Sequence, residues 1–391
     1  MQNNDAKFHI FGCGIGGMLS AIGLANMGIK SEIIEIKSEQ ELQNPNDPRT
    51  TALSKSSKEY MQKNNVWQHL EPYLEDIKDI FVCQRMSRHM LHMEGKDTEL
   101  GTMISNIDLR KVLFEITKAN PLIKIHYNSS YKDIKTDDSG IKFTLVSKQG
   151  ETEIESDLCI AADGRISEAK KQFFGNRITK NYNQKAIVFN IQHTKNHEGG
   201  AIEHFLFRGP FATLPLKGGY SSSIVWSENS EVADFLMTQD NQTLEKQMEK
   251  FIGGSLGDIK IITKPISYPL SAFVCDKYFD GRLVLIADSA HGMHPLAGQA
   301  LNMGIKDISY LVDIIGKYKN LGLKPGYTML MKYQKARTLD NIAMVKITDT
   351  INSVFNTQIK PINKITELGL LLVNSMPILK NKLVDYAKGA R

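Results

Sequence analysis

The sequence predicts an α/β fold. A parallel sheet with packed helices is interleaved with a second sheet and followed by C-terminal helices. Three observations predict it. A glycine-rich turn joins a buried-strand pattern to an apolar helical stripe at Gly12 to Gly17. Two further apolar runs, Asp157 to Ala162 and Arg282 to Ala287, each close on an aspartate. Between them lie segments of alternating apolar and polar residues, the mark of half-buried strands.

The first unit runs strand, turn, helix, strand. Lys7 to Phe11 reads as a short buried strand. Met18, Leu19, Ile22, Leu24 and Ala25 form a helical stripe that stops at Gly28, and Ser31 to Ile36 is the next strand. In that context Gly12, Gly14 and Gly17 form a G-x-G-x-x-G fingerprint of a Rossmann-like unit. Gly12 allows the tight turn, Gly14 lets backbone approach a pyrophosphate, and Gly17 lets the helix pack on the sheet. The helix N-terminus offers N–H groups and a positive dipole end to phosphates. Glu35, near the end of the second strand, stands where an acid accepts hydrogen bonds from a ribose; the plainer reading is a surface acid. The motif alone does not separate FAD from NAD.

The second run ends in Asp163-Gly164-Arg165, which by itself is commonly just a turn. The third carries more. Asp288 closes a strand, a loop with Pro295 follows, and Gln299 to Ile315 has helical spacing. An Asp at the carboxyl end of a parallel strand, beside a helix N-terminus, is well placed to bind ribitol hydroxyls. The N–H groups starting that helix suit the polar edge of a flavin.

With 391 residues the chain is long enough for about two or three domains. Hydrophobic residues make up 41% and charged ones 23%, an ordinary globular balance. A net charge of +5 is too small to argue for a nucleic-acid partner. No apolar stretch approaches the ~20 residues of a membrane span. The first residues lack a basic region followed by an apolar run, so the expectation is a cytoplasmic protein without a secretory signal. Cys13, Cys83, Cys159 and Cys275 are far apart and read as free thiols. His291 and His294 are three apart, as are His89 and His92, but no acid or Cys pattern completes a metal site, so no metal is expected. His291 reads instead as a structural hydrogen-bonding residue.

The expected first domain is discontinuous, with 1–75, 101–183 and 274–320 forming the nucleotide-binding part. Residues 76–100 and 184–273 form a sheet that covers the site, with a helix at Glu231 to Phe251. Residues 321–391 form a C-terminal helical region. In that region Leu368 to Val373 is the most apolar patch, and Lys380, Lys382, Lys388 and Arg391 follow. This tail has two readings: a helix docked on a membrane surface or partner, and a helix packed on the protein with a solvated basic face.

Taken in order, these segments resemble the class A flavoprotein monooxygenases of the para-hydroxybenzoate hydroxylase fold. Within that class the chain resembles the ubiquinone-biosynthesis hydroxylases. Asp47-x-Arg49-x-x-Ala52-Leu53-Ser54 and Val66-Trp67 match the family's second FAD segment, and Arg110-x-x-Leu113 matches the helix whose Arg nears the flavin nucleotide. Gly209-Pro210-Phe211-Ala212, Leu214-Pro215-Leu216, Val225-Trp226 and Tyr268-Pro269-Leu270 match its substrate sheet. Asp340-Asn341, Met344, Thr348-Asp349, Asn352 and Phe355 match its C-terminal helices.

The resemblance implies FAD as cofactor and NAD(P)H as a transient electron donor. Gly12, Gly14, Gly17, Glu35, Arg49, Arg110 and Asp288 would contact FAD. Asp163, Gly164 and Arg165 would serve FAD and NAD(P)H, and Pro295, Gly298, Gln299 and Asn302 would lie by the isoalloxazine ring. The implied reaction hydroxylates a polyprenylated phenol with dioxygen through a flavin C4a-hydroperoxide. The implied setting is the inner face of a membrane or a biosynthetic complex. The residues name no catalytic base. Two departures stand out: Ala287-Asp288 where the family has Gly-Asp, and Gly298-Gln299-Ala300 where it has Gly-Gln-Gly. An Ala is strained where φ must be positive and tolerated where glycine serves only close approach. Two other readings stay open: a same-fold monooxygenase for another aromatic, and a catalytically weak FAD- or lipid-binding accessory protein.

Overall fold

Six strands form the first sheet, in the order Phe279–Asp280, Leu283–Leu285, Leu158–Ala161, Phe8–Phe11, Ser31–Ile34 and Ile123–His126. Every neighbouring pair is parallel except the one made by the edge strand Phe279–Asp280. The computed structural model describes residues 7–84, 90–95, 100–294 and 298–355. All residues of Phe8–Phe11 and of Leu158–Ala161 are buried. That is why their sequences read as unbroken apolar runs: a parallel strand is covered on both faces. One cover is the helix Ile15–Asn26, which packs against the long helix Gln299–Asn320. Met18, Leu19, Ile22 and Leu24 are almost fully buried, each contributing about 1.5–3 kcal/mol of apolar burial.

Among the described residues the second sheet has nine strands, one of which, Ile259–Ile261, pairs with Asn176–His193 off the main path. Its path runs from His291–Gly292 through Ile266–Cys275, Asn176–His193, Ser221–Asn229, Pro210–Leu216, Gly200–Phe205 and Asp79–Gln84 to Met90–Glu94. Side chains alternate between its faces. Ile187, Phe189, Phe211, Ile224 and Trp226 point to one face and pack with Leu236, Leu244 and Met248 of two helices. Val188, Ala201, Phe205, Ala212, Leu214 and Val225 point to the other and line a cavity.

One expectation needs correction. The helix expected at Glu231 to Phe251 is two, Ser230–Leu236 and Asn241–Ile252. Asp240 breaks it by capping the second, accepting the Thr243 N–H at 2.8 Å. The expected divisions at 75/76, 183/184 and 273/274 fall inside the strands Glu75–Ile77, Asn176–His193 and Ile266–Cys275. The latter two pair with each other along most of their length, with a register shift between Asn181 and Lys185, so the crossing there is ladder rather than linker. The C-terminal helix runs Tyr327–Phe355, and the Leu368 to Val373 patch and the basic tail lie outside the described residues.

One buried carboxylate ties these parts together. Asp307, on the helix Gln299–Asn320, has no solvent exposure. Its Oδ2 accepts from the Ala287 N–H at 3.1 Å and from His291 Nε2 at 2.6 Å. Its Oδ1 accepts from Arg337 Nε at 2.8 Å and from Asn341 Nδ2 at 3.1 Å. Asn341 Nδ2 also donates to the Tyr278 hydroxyl at 3.0 Å. Burial opposes the charge on Asp307, but His291 and Arg337 outweigh it and hold the carboxyl down to about 2.

The same carboxylate fixes Ala287. This residue has a φ of +50°, in the left-handed region that costs about 1–2 kcal/mol for an L-residue with a Cβ. So the strained outcome holds at Ala287. Room for its methyl comes from Gly304, where a Cβ would lie 2.6 Å from the Ala287 Cβ. A glycine one turn into the following helix thus compensates for an alanine in the loop.

Asp307→Asn should lower the unfolding free energy by about 3–5 kcal/mol near neutral pH, measured by urea denaturation, because it removes the fully buried anion beside Arg337 and His291 and leaves Arg337 only its ion pair with Asp340. The folded-state pKa is depressed, so the wild-type advantage is present above the ordinary 3.8 and shrinks as pH falls towards about 2.

Candidate active site

The glycine turn is built by close packing. Gly12 has a φ of +96°, and a Cβ there would sit 2.8 Å from the Ala162 carbonyl oxygen. A Cβ on Gly17 would sit 1.9 Å from the Gly12 carbonyl oxygen. At Gly14, the N-cap of the helix Ile15–Asn26, a Cβ would meet nothing within 4 Å. The turn therefore presses on the next strand while leaving open space at the helix N-terminus, where N–H groups lack intrahelical acceptors. Glu35 is 8% exposed and braces the turn from behind. Its Oε2 accepts from the Cys13 N–H at 2.6 Å and its Oε1 from the Lys37 N–H at 2.9 Å. Each oxygen keeps a lone pair for another donor.

Arg49 and Arg110 share one anchor. Asp47 receives two parallel bonds from Arg49, Nε to Oδ1 and Nη2 to Oδ2, both 2.7 Å. Its Oδ2 also accepts from Asn106 Nδ2 at 3.2 Å and lies 3.5 Å from Arg110 Nε. Burial pushes the Asp47 carboxyl up, but the bonds and charges of Arg49 and Arg110 prevail and hold it below its ordinary range. Arg110 Nε is buried with no hydrogen-bond partner among the described residues. The Arg49 guanidinium sits 6.0 Å from the centre of the Tyr268 ring.

Asp163 turns away from the cavity wall and accepts a short hydrogen bond from the Tyr131 hydroxyl. Burial raises its carboxyl above the ordinary value. Gly164 does line the cavity. Arg165 donates to the Ser271 carbonyl at 3.3 Å, and its Nε lies 4.0 Å from Asp288 Oδ2. The Asp288 side chain is 47% exposed and lines the cavity.

Gly298, with a φ of +60°, caps the helix Gln299–Asn320. Ala300 lies inside that helix without a positive φ, so its methyl is tolerated there, unlike that of Ala287. Asn302 clamps the helix to the segment before it in space. Its Oδ1 accepts from the Ser54 N–H at 2.9 Å and the Ser57 hydroxyl at 2.7 Å, and its Nδ2 donates to the Ala52 carbonyl at 2.8 Å. Pro295 lies outside the described residues. His291 is held by Asp307, and His294 Nε2 is 3.3 Å from Gln184 Oε1. Among the described residues no cluster of His, Cys, Asp or Glu could hold a metal.

These elements enclose one cavity of about 750 Å³, within the 300–1,000 Å³ usual for ligand sites. Gly14, Arg49, Arg110, Gly164, Asp288, Gly298, Gln299, Ala300 and Asn302 line it, and Gly12, Gly17, Glu35 and Asp163 are outside its lining. Its other wall is apolar, made by Ile80, Val82, Leu91, Met93, Leu214 and their neighbours. Phe355 of the C-terminal helix stacks on Phe205 at 3.9 Å and closes this side. The residues fit FAD: open space over a helix N-terminus for a pyrophosphate, the cationic Arg49 and Arg110 on the cavity wall for an anion, and an exposed Asp288 for hydroxyls.

The sequence reading missed three positions. Asp47 was a motif member without a role, and it aims both arginines. Asp307 hid inside a helical stripe. Glu203 lies on the strand Gly200–Phe205 and lines the cavity. Its signal was the alternation Ala201, Glu203, Phe205, which puts a carboxyl on an apolar face.

Residues 5–342 match the family described as FAD binding domain. Ubiquinone hydroxylase UbiL of Rhodospirillum rubrum is 31% identical over 384 residues, covering 97% of this chain and 89% of that protein. The 3-demethoxyubiquinol 3-hydroxylase of Escherichia coli is 26% identical, with 100% of both proteins covered. Among solved structures, p-nitrophenol 4-monooxygenase PnpA of Pseudomonas putida superposes with a TM-score of 0.79 over 97% of both chains, at 16% identity. That last likeness shows the shared fold. The chain belongs to the FAD binding domain family and, within it, to the ubiquinone-biosynthesis hydroxylases, and is an FAD-dependent monooxygenase.

Proposed function

We propose that this chain hydroxylates the aromatic ring of a polyprenylated phenol in ubiquinone synthesis, with NAD(P)H and dioxygen as co-substrates. One observation carries the reading: a single cavity joins the polar, nucleotide-fitting wall to a long apolar wall. A polyprenyl phenol has one small polar ring and a hydrocarbon tail, which that division suits. The similarity to the ubiquinone hydroxylase and the demethoxyubiquinol hydroxylase supports the same substrate class.

In this reading the helix N-terminus behind Gly14 holds the pyrophosphate, and Glu35 takes ribose hydroxyls. Arg49 and Arg110 face the nucleotide, and Asp288 binds the ribitol chain. Gly164 belongs to the wall beside them, with Asp163 anchoring its turn on Tyr131. Gly298, Gln299 and Ala300 begin a helix whose free N–H groups face the flavin ring, with Asn302 fixing its position. Bound FAD supplies the activation of dioxygen once NAD(P)H has reduced it. The apolar wall keeps water from the reacting ring and holds it in place, two tasks that favour transfer to carbon over futile release. Such a substrate resides in lipid, so the reading includes work at the inner face of a membrane. Among the described residues no helix is long and apolar enough to cross one.

Purified protein should carry a yellow flavin spectrum. It should oxidise NAD(P)H faster when a short-chain polyprenylphenol is added, with the hydroxylated phenol as product. Absence of flavin, or NAD(P)H oxidation without that product, would remove the reading. Asp288→Ala should weaken FAD binding about tenfold or more while circular dichroism stays that of the wild type. Unchanged flavin occupancy would remove the role given to Asp288.

A further inference from the structure

Glu203 is the one acidic side chain on the apolar wall among the described residues. It sits mid-strand in Gly200–Phe205, between Ala212 on one side and Val82 on the other. Side chains on the same face alternate with those of the opposite face, and the cavity-facing neighbours are Ala201, Phe205, Pro210, Ala212, Leu214, Ile80 and Val82, all apolar. The helix Tyr327–Phe355 adds Ile351 and Phe355, and the strand Ser221–Asn229 adds Val225 and the neutral Ser227. Asp79 and His92 bond each other on the outer face, and Asp349 bonds Lys180. The charged or titratable groups that share the cavity with Glu203 are Arg49, Arg110, Tyr268 and Asp288, on the nucleotide side.

Glu203 is half-buried, lines the cavity and has no hydrogen-bond partner among the described residues. An unpartnered carboxyl on an apolar wall is costly, and a hydrophobic residue would serve packing better. Such a group is retained where a ligand completes it.

We infer that Glu203 is a catalytic residue, the general base that accepts the hydroxyl proton of a phenol bound in this cavity. This rests on the functional reading above. The phenol O–H bond breaks, an O–H bond forms on a Glu203 carboxylate oxygen, and the electron pair stays on the phenolate. No electron is transferred in this step. The ring carbons ortho and para to the oxygen gain the electron density that an electrophilic oxygen requires. After hydroxylation the ring regains aromaticity by losing a proton from carbon, and the proton on Glu203 returns to the product or to water.

Desolvation on the apolar wall pushes the Glu203 carboxyl up to about 7. Its base form is therefore lost as pH falls below neutrality. A base poised near the working pH is the efficient one.

The test compares wild type, Glu203→Gln and Glu203→Asp as FAD-loaded proteins. FAD content, the rate of flavin reduction by NAD(P)H, and hydroxylated product are measured from about pH 5.5 to 8.5, a span around the general-base optimum. The expected result is intact FAD content and reduction in all three. Hydroxylation by Glu203→Gln should fall about 100-fold or more at neutral pH. The wild-type rate should drop on the acid side of about 7, a limb the Gln variant lacks. Glu203→Asp should keep part of the rate. A ring-fluorinated analogue, with its hydroxyl already ionised at the assay pH, should restore the Gln variant towards wild type. Equal rates and pH profiles in wild type and Gln variant would overturn the role. So would a loss that the ionised analogue does not restore, or one that follows FAD content. No hydroxylated product from the wild type would overturn the functional reading, and this inference with it.

Discussion

The carboxylate of Asp307 joins the elements that shape the cavity. It sits on the helix that begins on the cavity wall, and it reaches three other elements. It holds the backbone of Ala287 in a left-handed turn, so that Asp288 emerges onto the cavity wall. Through His291 it fixes the short strand that follows, and through Arg337 and Asn341 it fixes the C-terminal helix. A buried ion group of this kind gives little net stability over an apolar packing. Its value here is geometric. It sets the relation between the loop that carries Asp288 onto the cavity wall and the helix whose end, Phe355, closes the apolar side.

That relation makes one cavity out of two chemistries. On one wall backbone N–H groups, Arg49, Arg110 and Asp288 converge. On the other wall alternate residues of several strands are aliphatic. Neither wall is a separate module, because the strands Asn176–His193 and Ile266–Cys275 pair across the divide. Asp47 plays the matching part on the nucleotide side. Its two bonds to Arg49 and its nearness to Arg110 fix both cations before a ligand arrives, which lowers the ordering cost of binding.

What was legible in the sequence is what depends on near neighbours. The turn at Gly12 to Gly17, the strands that flank it and the helix after Gly298 could be read because their pattern is local: the positive φ of Gly12 and the approach of Gly17 to Gly12 lie within a few residues, although Gly12 also abuts the remote Ala162. The nine-stranded sheet was legible only as alternation, and its strand order was not, because pairing joins residues such as Ala201 and Ile80 that are remote in the chain. Ala287 shows the limit well. The sequence posed two outcomes for it, and the answer lay in Gly304, which leaves the space its methyl needs. Ala300 had the same two outcomes and took the other, because it is already in a helix. The roles of Asp307, Asp47 and Glu203 were hidden for one common reason. A single acid in a helical or strand pattern looks like a solvated one until its partners, or their absence, are known.

In the proposed function FAD and an apolar phenol meet in this one cavity, and oxygen passes to the ring there. Turnover of a short-chain polyprenylphenol under isotopically heavy dioxygen, in ordinary water, tests it most directly by mass spectrometry of the product. The new hydroxyl group should carry one heavy oxygen atom. A new hydroxyl carrying oxygen from water would contradict it, as would NAD(P)H consumption with the phenol recovered unchanged.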